Sequence, residues 1–240
     1  MRLARLLQAL PFIALLVFAS QTLAVPALQL GIQDGVYVGG DDETTYATTN
    51  PFTLNAYLDP SKADPNSWYK LSIALVPKTT GGANLGTFTF TYLSDPTTVK
   101  VTDEMYYGVP PYELFIASDG GDLGKHDIYE TFFYEYSFKF SASQVTQKIN
   151  TQDPTTPISG TLYLREFLFD ISSLDSEYQL HFDLYNTKLG QKKPTGDIDI
   201  NLFAPFSHDA QSNGHQVPEP GTLVMMGSGL LGLVVFRKKI

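Results

Sequence analysis

The stretch Tyr69-Lys70-Leu71-Ser72-Ile73-Ala74-Leu75-Val76 places its large apolar residues at every second position. Side chains in a strand alternate between two faces, so Tyr69, Leu71, Ile73 and Leu75 share one face, with Lys70, Ser72 and Ala74 on the other. The same period recurs along the chain. Phe52, Leu54, Ala56 and Leu58 alternate with Thr53, Asn55 and Tyr57, and Phe88, Phe90 and Tyr92 with Thr87, Thr89 and Thr91. Phe132, Tyr134, Tyr136, Phe138 and Phe140 share one side, and Phe133 is the exception to their pattern. Leu180, Phe182 and Leu184 follow, then Ile198, Ile200 and Leu202 against Asp197, Asp199 and Asn201. One-sided alternation predicts antiparallel sheets with a core face and a wet face. Turn clusters such as Asp59-Pro60, Thr79-Thr80-Gly81-Gly82, Ser94-Asp95-Pro96 and 150–157 separate the runs. The expected fold is all-β: a single antiparallel β-sandwich, jelly-roll-like, in a body spanning 25–206.

Two segments interrupt the strands. Ser141 to Ile149 reads as one or two helical turns capped by Ser141 or Ser143. Asp103 to Asp127 reads as a long loop, the usual seat of function on a sandwich. Residues 207–216 are polar and read as a spacer after the domain.

Both ends carry sorting features. Residues 1–24 combine Arg2 and Arg5, an apolar stretch from Leu10 to Phe18, and Thr22-Leu23-Ala24. That order predicts a signal peptide cut by signal peptidase after Ala24, with Ala27 as the competing position. At the other end, Val217-Pro218-Glu219-Pro220 precedes an apolar run from Gly221 to Phe236 and the basic end Arg237-Lys238-Lys239. The run falls short of the about 20 apolar residues that span a bilayer, so it inserts marginally. Gly227, Ser228, Gly229 and Gly232 leave it thin enough for close helix contact. The three basic residues act as a membrane stop held on the cytoplasmic side. Prolines flanking Glu219 keep that stretch extended and open to an enzyme's grip. Residues 217–240 closely resemble the PEP-CTERM sorting signal of bacterial surface proteins. The resemblance implies that a membrane-embedded exosortase recognises Pro218, Glu219 and Pro220 and processes the chain nearby. It also implies transient residence in the inner membrane, then the cell surface or extracellular matrix. An uncut C-terminal membrane anchor is the alternative.

Composition excludes several function classes. The chain has 16 Lys+Arg against 25 Asp+Glu. Setting aside Arg2, Arg5, Arg237, Lys238 and Lys239 leaves 11 against 25, a body near -14. Such a surface repels phosphate backbones, so no nucleic-acid partner is expected. With no cysteine there are no disulfides, thiol catalysis or Cys-zinc sites.

A narrower resemblance rests on Pro26-Ala27-Leu28-Gln29-Leu30, Asn50-Pro51-Phe52-Thr53-Leu54 and Leu71-Ser72-Ile73-Ala74-Leu75-Val76-Pro77. Tyr107-Gly108-Val109-Pro110-Pro111, His126-Asp127-Ile128-Tyr129 and Thr131-Phe132-Phe133 extend it. These pieces resemble the choice-of-anchor N proteins, surface proteins whose related bodies carry different C-terminal anchors. That resemblance transfers no catalytic residue.

Within the long loop, Asp119, Asp122 and Asp127 lie beside glycines, near His126 and Glu130. Calcium takes six to eight oxygens, so these carboxylates are candidate ligands, but their spacing is not that of an EF-hand. The expected reading is a solvated acidic turn and no cofactor. The four histidines, at 126, 181, 208 and 215, are scattered, with His181 on the polar side of a strand. There is no nucleophile elbow or phosphate loop, and no enzyme is expected. Glu166 with Asp183 is the carboxylate pair a glycosidase reading would need at about 5–9 Å. Two readings of the body follow: a non-enzymatic structural or adhesive surface protein, and a carbohydrate-binding module-like domain for extracellular polysaccharide. A sugar site needs exposed aromatic rings, for which Trp68, Tyr106, Tyr107 and Tyr112 are the candidates.

Overall fold

The computed structural model describes residues 25–40, 43–82, 84–113, 123, 127–141, 144–156, 158–189 and 198–212. The described chain folds into two packed β-sheets. The order is β1 (Leu28–Ile32), β2 (Val36–Val38), β3 (Thr44–Tyr46), β4 (Phe52–Leu58), β5 (Tyr69–Val76), β6 (Thr87–Tyr92) and β7 (Asp95–Lys100). Then come β8 (Tyr106–Gly108), β9 (Thr131–Phe138), β10 (Gln144–Gln147), β11 (Thr161–Asp170), β12 (Gln179–Leu189) and β13 (Ile198–Phe203). A 3-10 turn, Phe206–His208, leads into β14 (Asp209–Gln211). One sheet runs β1-β4-β11-β6-β7 with β10 beside β11. The other runs β2-β3-β14-β12-β5-β9-β8 with β13 beside β12. In chain order β4, β5, β6, β9, β11 and β12 fall alternately in the two sheets, while β7 stays beside β6, β10 beside β11 and β13 beside β12, giving the expected sandwich.

The apolar face read from Tyr69–Val76 lies in the core. Tyr69, Leu71, Ile73 and Leu75 meet Leu180, Phe182 and Leu184 of β12 on the same sheet and Phe52, Leu54, Phe167 and Phe169 from the other. Phe169 is the hub. Its ring stacks on Phe52 at 5.6 Å and on Phe90 at 5.4 Å and meets Phe182 edge-on at 4.8 Å. Offset and edge-to-face pairs of this kind add to simple area burial.

Four expectations change. The second sheet is mixed, because β14 pairs with β3 in parallel. The segment expected to be helical holds β10 instead, with Gln144-Val145-Thr146-Gln147 paired antiparallel to 161–164. Its β-branched centre and the open edge of β11 favour that ladder over an isolated turn of helix. The loop from Asp103 to Asp127 contains β8, whose Tyr106 and Gly108 pair with Phe133 and Thr131.

The fourth change moves the domain boundary. Of the expected spacer 207–216, residues 207–212 belong to the sandwich, and 213–216 lie outside the described residues. His208, Asp209, Ala210 and Ser212 are buried. Ser212 N donates to the Leu180 carbonyl and its Oγ accepts from Leu180 N, both at 2.8 Å. Polar composition suggests a linker, yet Ser212 and His208 find hydrogen-bond partners inside the sandwich and Asp209 an ion-pair partner in His181, which offsets the cost of burying them. The expected signal peptide 1–24 and sorting segment 217–240, with Val217, Pro218, Glu219, Pro220, Arg237, Lys238 and Lys239, also lie outside the described residues.

Candidate functional site

The face of the β5 sheet turned away from the core was expected to be wet, and it is not. Residues paired across an antiparallel ladder share a face. The registers therefore set Asp183 beside Ser72, Ser72 beside Glu135, His181 beside Ala74 and Gln211, and Ala74 beside Phe133. Ser72, Phe133, His181, Asp183 and Asp209 are all buried. A polar layer thus lies on the outer face of β5, β9, β12 and β14, beneath the segments that carry Tyr112 and Tyr129.

Its hydrogen bonds are specific. The Tyr129 hydroxyl donates to Asp183 Oδ2 at 2.7 Å and lies 3.0 Å from Ser72 Oγ. His181 Nε2 is 3.6 Å from Asp183 Oδ1 and 3.3 Å from Asp209 Oδ2. Glu135 accepts from the Tyr185 hydroxyl, from Tyr112 N at 3.2 Å, and from Lys70 Nζ at 3.2 Å. Burial pushes the phenols of Tyr129 and Tyr185 well above their usual range, and the charges on Asp183 and Glu135 add to the effect. Both therefore stay protonated donors at neutral pH.

The acid-base groups of this layer are coupled. Burial raises the Asp209 carboxyl to about 7, against the pull of the His181 charge. Burial alone would lower His181, but the charges of Asp209 and Asp183 raise it above its usual value. A buried imidazolium with one ionised carboxylate is near neutral as a unit, and the second carboxylate retains its proton more readily.

The four expected aromatic candidates do not form one site. Trp68 is 62% exposed, and Lys139 Nζ sits 4.7 Å from its ring centroid. Tyr106 faces Phe133 in the ladder, six positions along β9 from Lys139, or about 20 Å at strand rise. Tyr106 and Tyr112 stack at 3.6 Å, so each covers a ring face of the other. Tyr107 is 47% exposed and stands apart from that stack. It lines an open groove of about 670 Å³ with Lys78, Thr79, Thr80, Tyr129 and Glu130.

Glu166 and Asp183 do not pair. Glu166 lies on the outer face of β11 and Asp183 on the outer face of β12, in different sheets packed about 10 Å apart through their inner faces. Asp119 and Asp122 lie outside the described residues, and Asp127 is exposed with a positive φ of 62°. Among the described residues, no three His, Asp or Glu side chains are arranged to hold a metal ion. Sequence reading missed the buried layer because His181 and Asp183 sit at the positions a wet face would occupy. The available signal was Phe133, an aromatic on the supposedly wet side of β9.

Residues 216–239 match the model of the PEP-CTERM protein-sorting motif. The motif implies export, processing by an exosortase and anchoring at the surface, which defines the class: an exosortase-processed extracellular protein with a β-sandwich body. No curated protein matches the chain. The collagen-binding subdomain of the Enterococcus faecalis surface protein ACE aligns at 7% identity, covering 78% of this chain and 97% of that one. Its TM-score of 0.23 is too low to support any argument about fold or function.

Proposed function

We propose that the body is a non-enzymatic structural or adhesive domain of the cell surface or extracellular matrix. One observation carries this reading: the sandwich runs to Ser212, and the sorting motif begins at 216. A folded domain is thereby tied closely to the processing point, which suits a protein whose task is to be displayed. A signal peptide over 1–24 and a membrane segment over 221–236 belong to the same reading, as does signal peptidase as the first processing enzyme. A second reading, a carbohydrate-binding module-like domain contacting extracellular polysaccharide, is favoured by the groove beside Tyr107.

A strain lacking the chain tests the adhesive role. Cell aggregation or surface attachment should fall and be restored by the wild-type chain. It should not be restored when Pro218, Glu219 and Pro220 are replaced by alanine, since that precursor would accumulate in the inner membrane. Unchanged attachment in the absence of the chain would refute the adhesive role.

A further inference from the structure

We propose that the groove beside Tyr107 binds a neutral oligosaccharide segment of extracellular polysaccharide. The inference rests on the reading of the body as a displayed domain and gives that domain a ligand and a contact surface.

The groove is built from three chain segments that meet at one end of the β5 sheet. Lys78, Thr79 and Thr80 follow β5, Tyr107 comes from β8, and Tyr129 and Glu130 lead into β9. Each wall is fixed from behind. Thr79 N donates to Thr131 Oγ1 at 3.2 Å, and Thr131 Oγ1 donates to the Leu75 carbonyl at 2.9 Å, which pins the loop after β5 to the start of β9. The Tyr107 ring packs on Phe132 at 5.3 Å and 61°. Tyr129 packs edge-on to Phe133 at 6.2 Å, and its hydroxyl is held by Ser72 and Asp183. A site with walls already immobile loses little entropy when a flexible chain settles into it.

Its chemistry selects the ligand. Sugars offer C–H faces that lie on aromatic rings and hydroxyls that both donate and accept, and Tyr107 and Tyr129 supply the rings. Lys78 donates, Glu130 accepts and Thr80 does both. The volume of about 670 Å³ is that of a small-ligand site. None of the groove's described lining residues is aliphatic, so they provide no seat for an apolar protein anchor residue. Among its described lining residues Lys78 and Glu130 balance, while the body around it is strongly acidic, so an uncharged glycan is accepted and a polyanionic one is repelled.

The test uses mature protein collected from the cell surface and an array of neutral and uronate-bearing oligosaccharides. The strongest neutral ligand is then titrated calorimetrically. Wild type should bind neutral glycans, and Tyr107→Ala should weaken binding at least about tenfold. Glu130→Gln should weaken it too. Trp68→Ala, remote from the groove, should bind as wild type, and all three variants should melt as wild type does. A blank array, binding confined to the uronate-bearing glycans, or unchanged affinity in Tyr107→Ala would each overturn the proposal. The two readings fail separately. A blank array with an attachment defect in the deletion strain removes the groove assignment alone, and glycan binding without that defect removes the adhesive role alone.

Discussion

His181 on β12 holds its Nε2 3.3 Å from Asp209 Oδ2 on β14, so the last strand before the sorting motif is fastened to the sheet through buried ionisable groups. Thr44 of β3 and Asp183 of β12 also face Asp209, and Glu43 adds its negative charge. The pair has a calculable consequence for stability against pH.

Asp209 is raised to about 7 in the fold, well above an unfolded aspartate. Between about pH 4 and 7 the native state therefore binds more protons than the unfolded chain, and stability falls as pH rises. His181, also raised, acts in the same direction. Its contribution is complete below its unfolded value and is lost as pH rises through the folded one. Asp209→Asn removes the first effect and reduces the second. Urea melts at fixed ionic strength should show the variant gaining on wild type as pH rises from 5 to 8. A constant difference would mean that Asp209 does not titrate in this window.

His208, one residue earlier, has the opposite sign. It is buried with Nε2 3.0 Å from Asn150 Oδ1, and burial lowers it to about 4. The neutral ring is the native form, so its contribution is present above the unfolded value near 6.5 and is lost as pH falls toward 4. His208→Gln keeps a donor for Asn150 and cannot titrate. Wild type should lose stability relative to this variant on acidification from pH 7 to 4, with no change in their difference above pH 7. Because His208 and Asp209 oppose each other over part of this range, the wild-type profile alone would conceal both.

Phe169 tests the core. It touches Phe52, Phe88, Phe90 and Phe182 and has no exposed surface. Truncation to alanine should cost about 3–5 kcal/mol. At about 2–4 °C per kcal/mol for a domain of this size, the melting temperature should fall by roughly 10 °C. A loss under about 1 kcal/mol would show that the aromatic cluster repacks around the gap.

The parts legible in the sequence were those written in one local period. Tyr69, Leu71, Ile73 and Leu75 declared their face because one apolar side of a strand is enough to fix its register. The sorting motif was legible because it is read as a linear string. The layer of His181, Asp183 and Asp209 was not, because alternation records that a position is polar and leaves open whether a distant segment covers it. Tyr129, more than fifty residues from Asp183, supplies that cover. Residues 207–212 misled for the same reason: their partners, Leu180, Asn150 and Thr44, all lie far along the chain.

The corrected boundary can be tested directly. A chain ending at 206 loses β14, and with it the parallel partner of β3, the Asp209 contact to His181 and the Ser212 bonds to Leu180. It also strands buried groups: Leu180 N loses its Ser212 Oγ acceptor, and Ala47 N loses the Gln211 carbonyl. Each such group costs about 1–3 kcal/mol when left unpaired, and together these losses rival the whole stability of a typical domain. Residues 25–206 should therefore aggregate or show no cooperative melt, while residues 25–212 should melt as the processed protein does. Equal melting of the two chains would restore 207–212 to a spacer and detach β14 from the account of the buried layer.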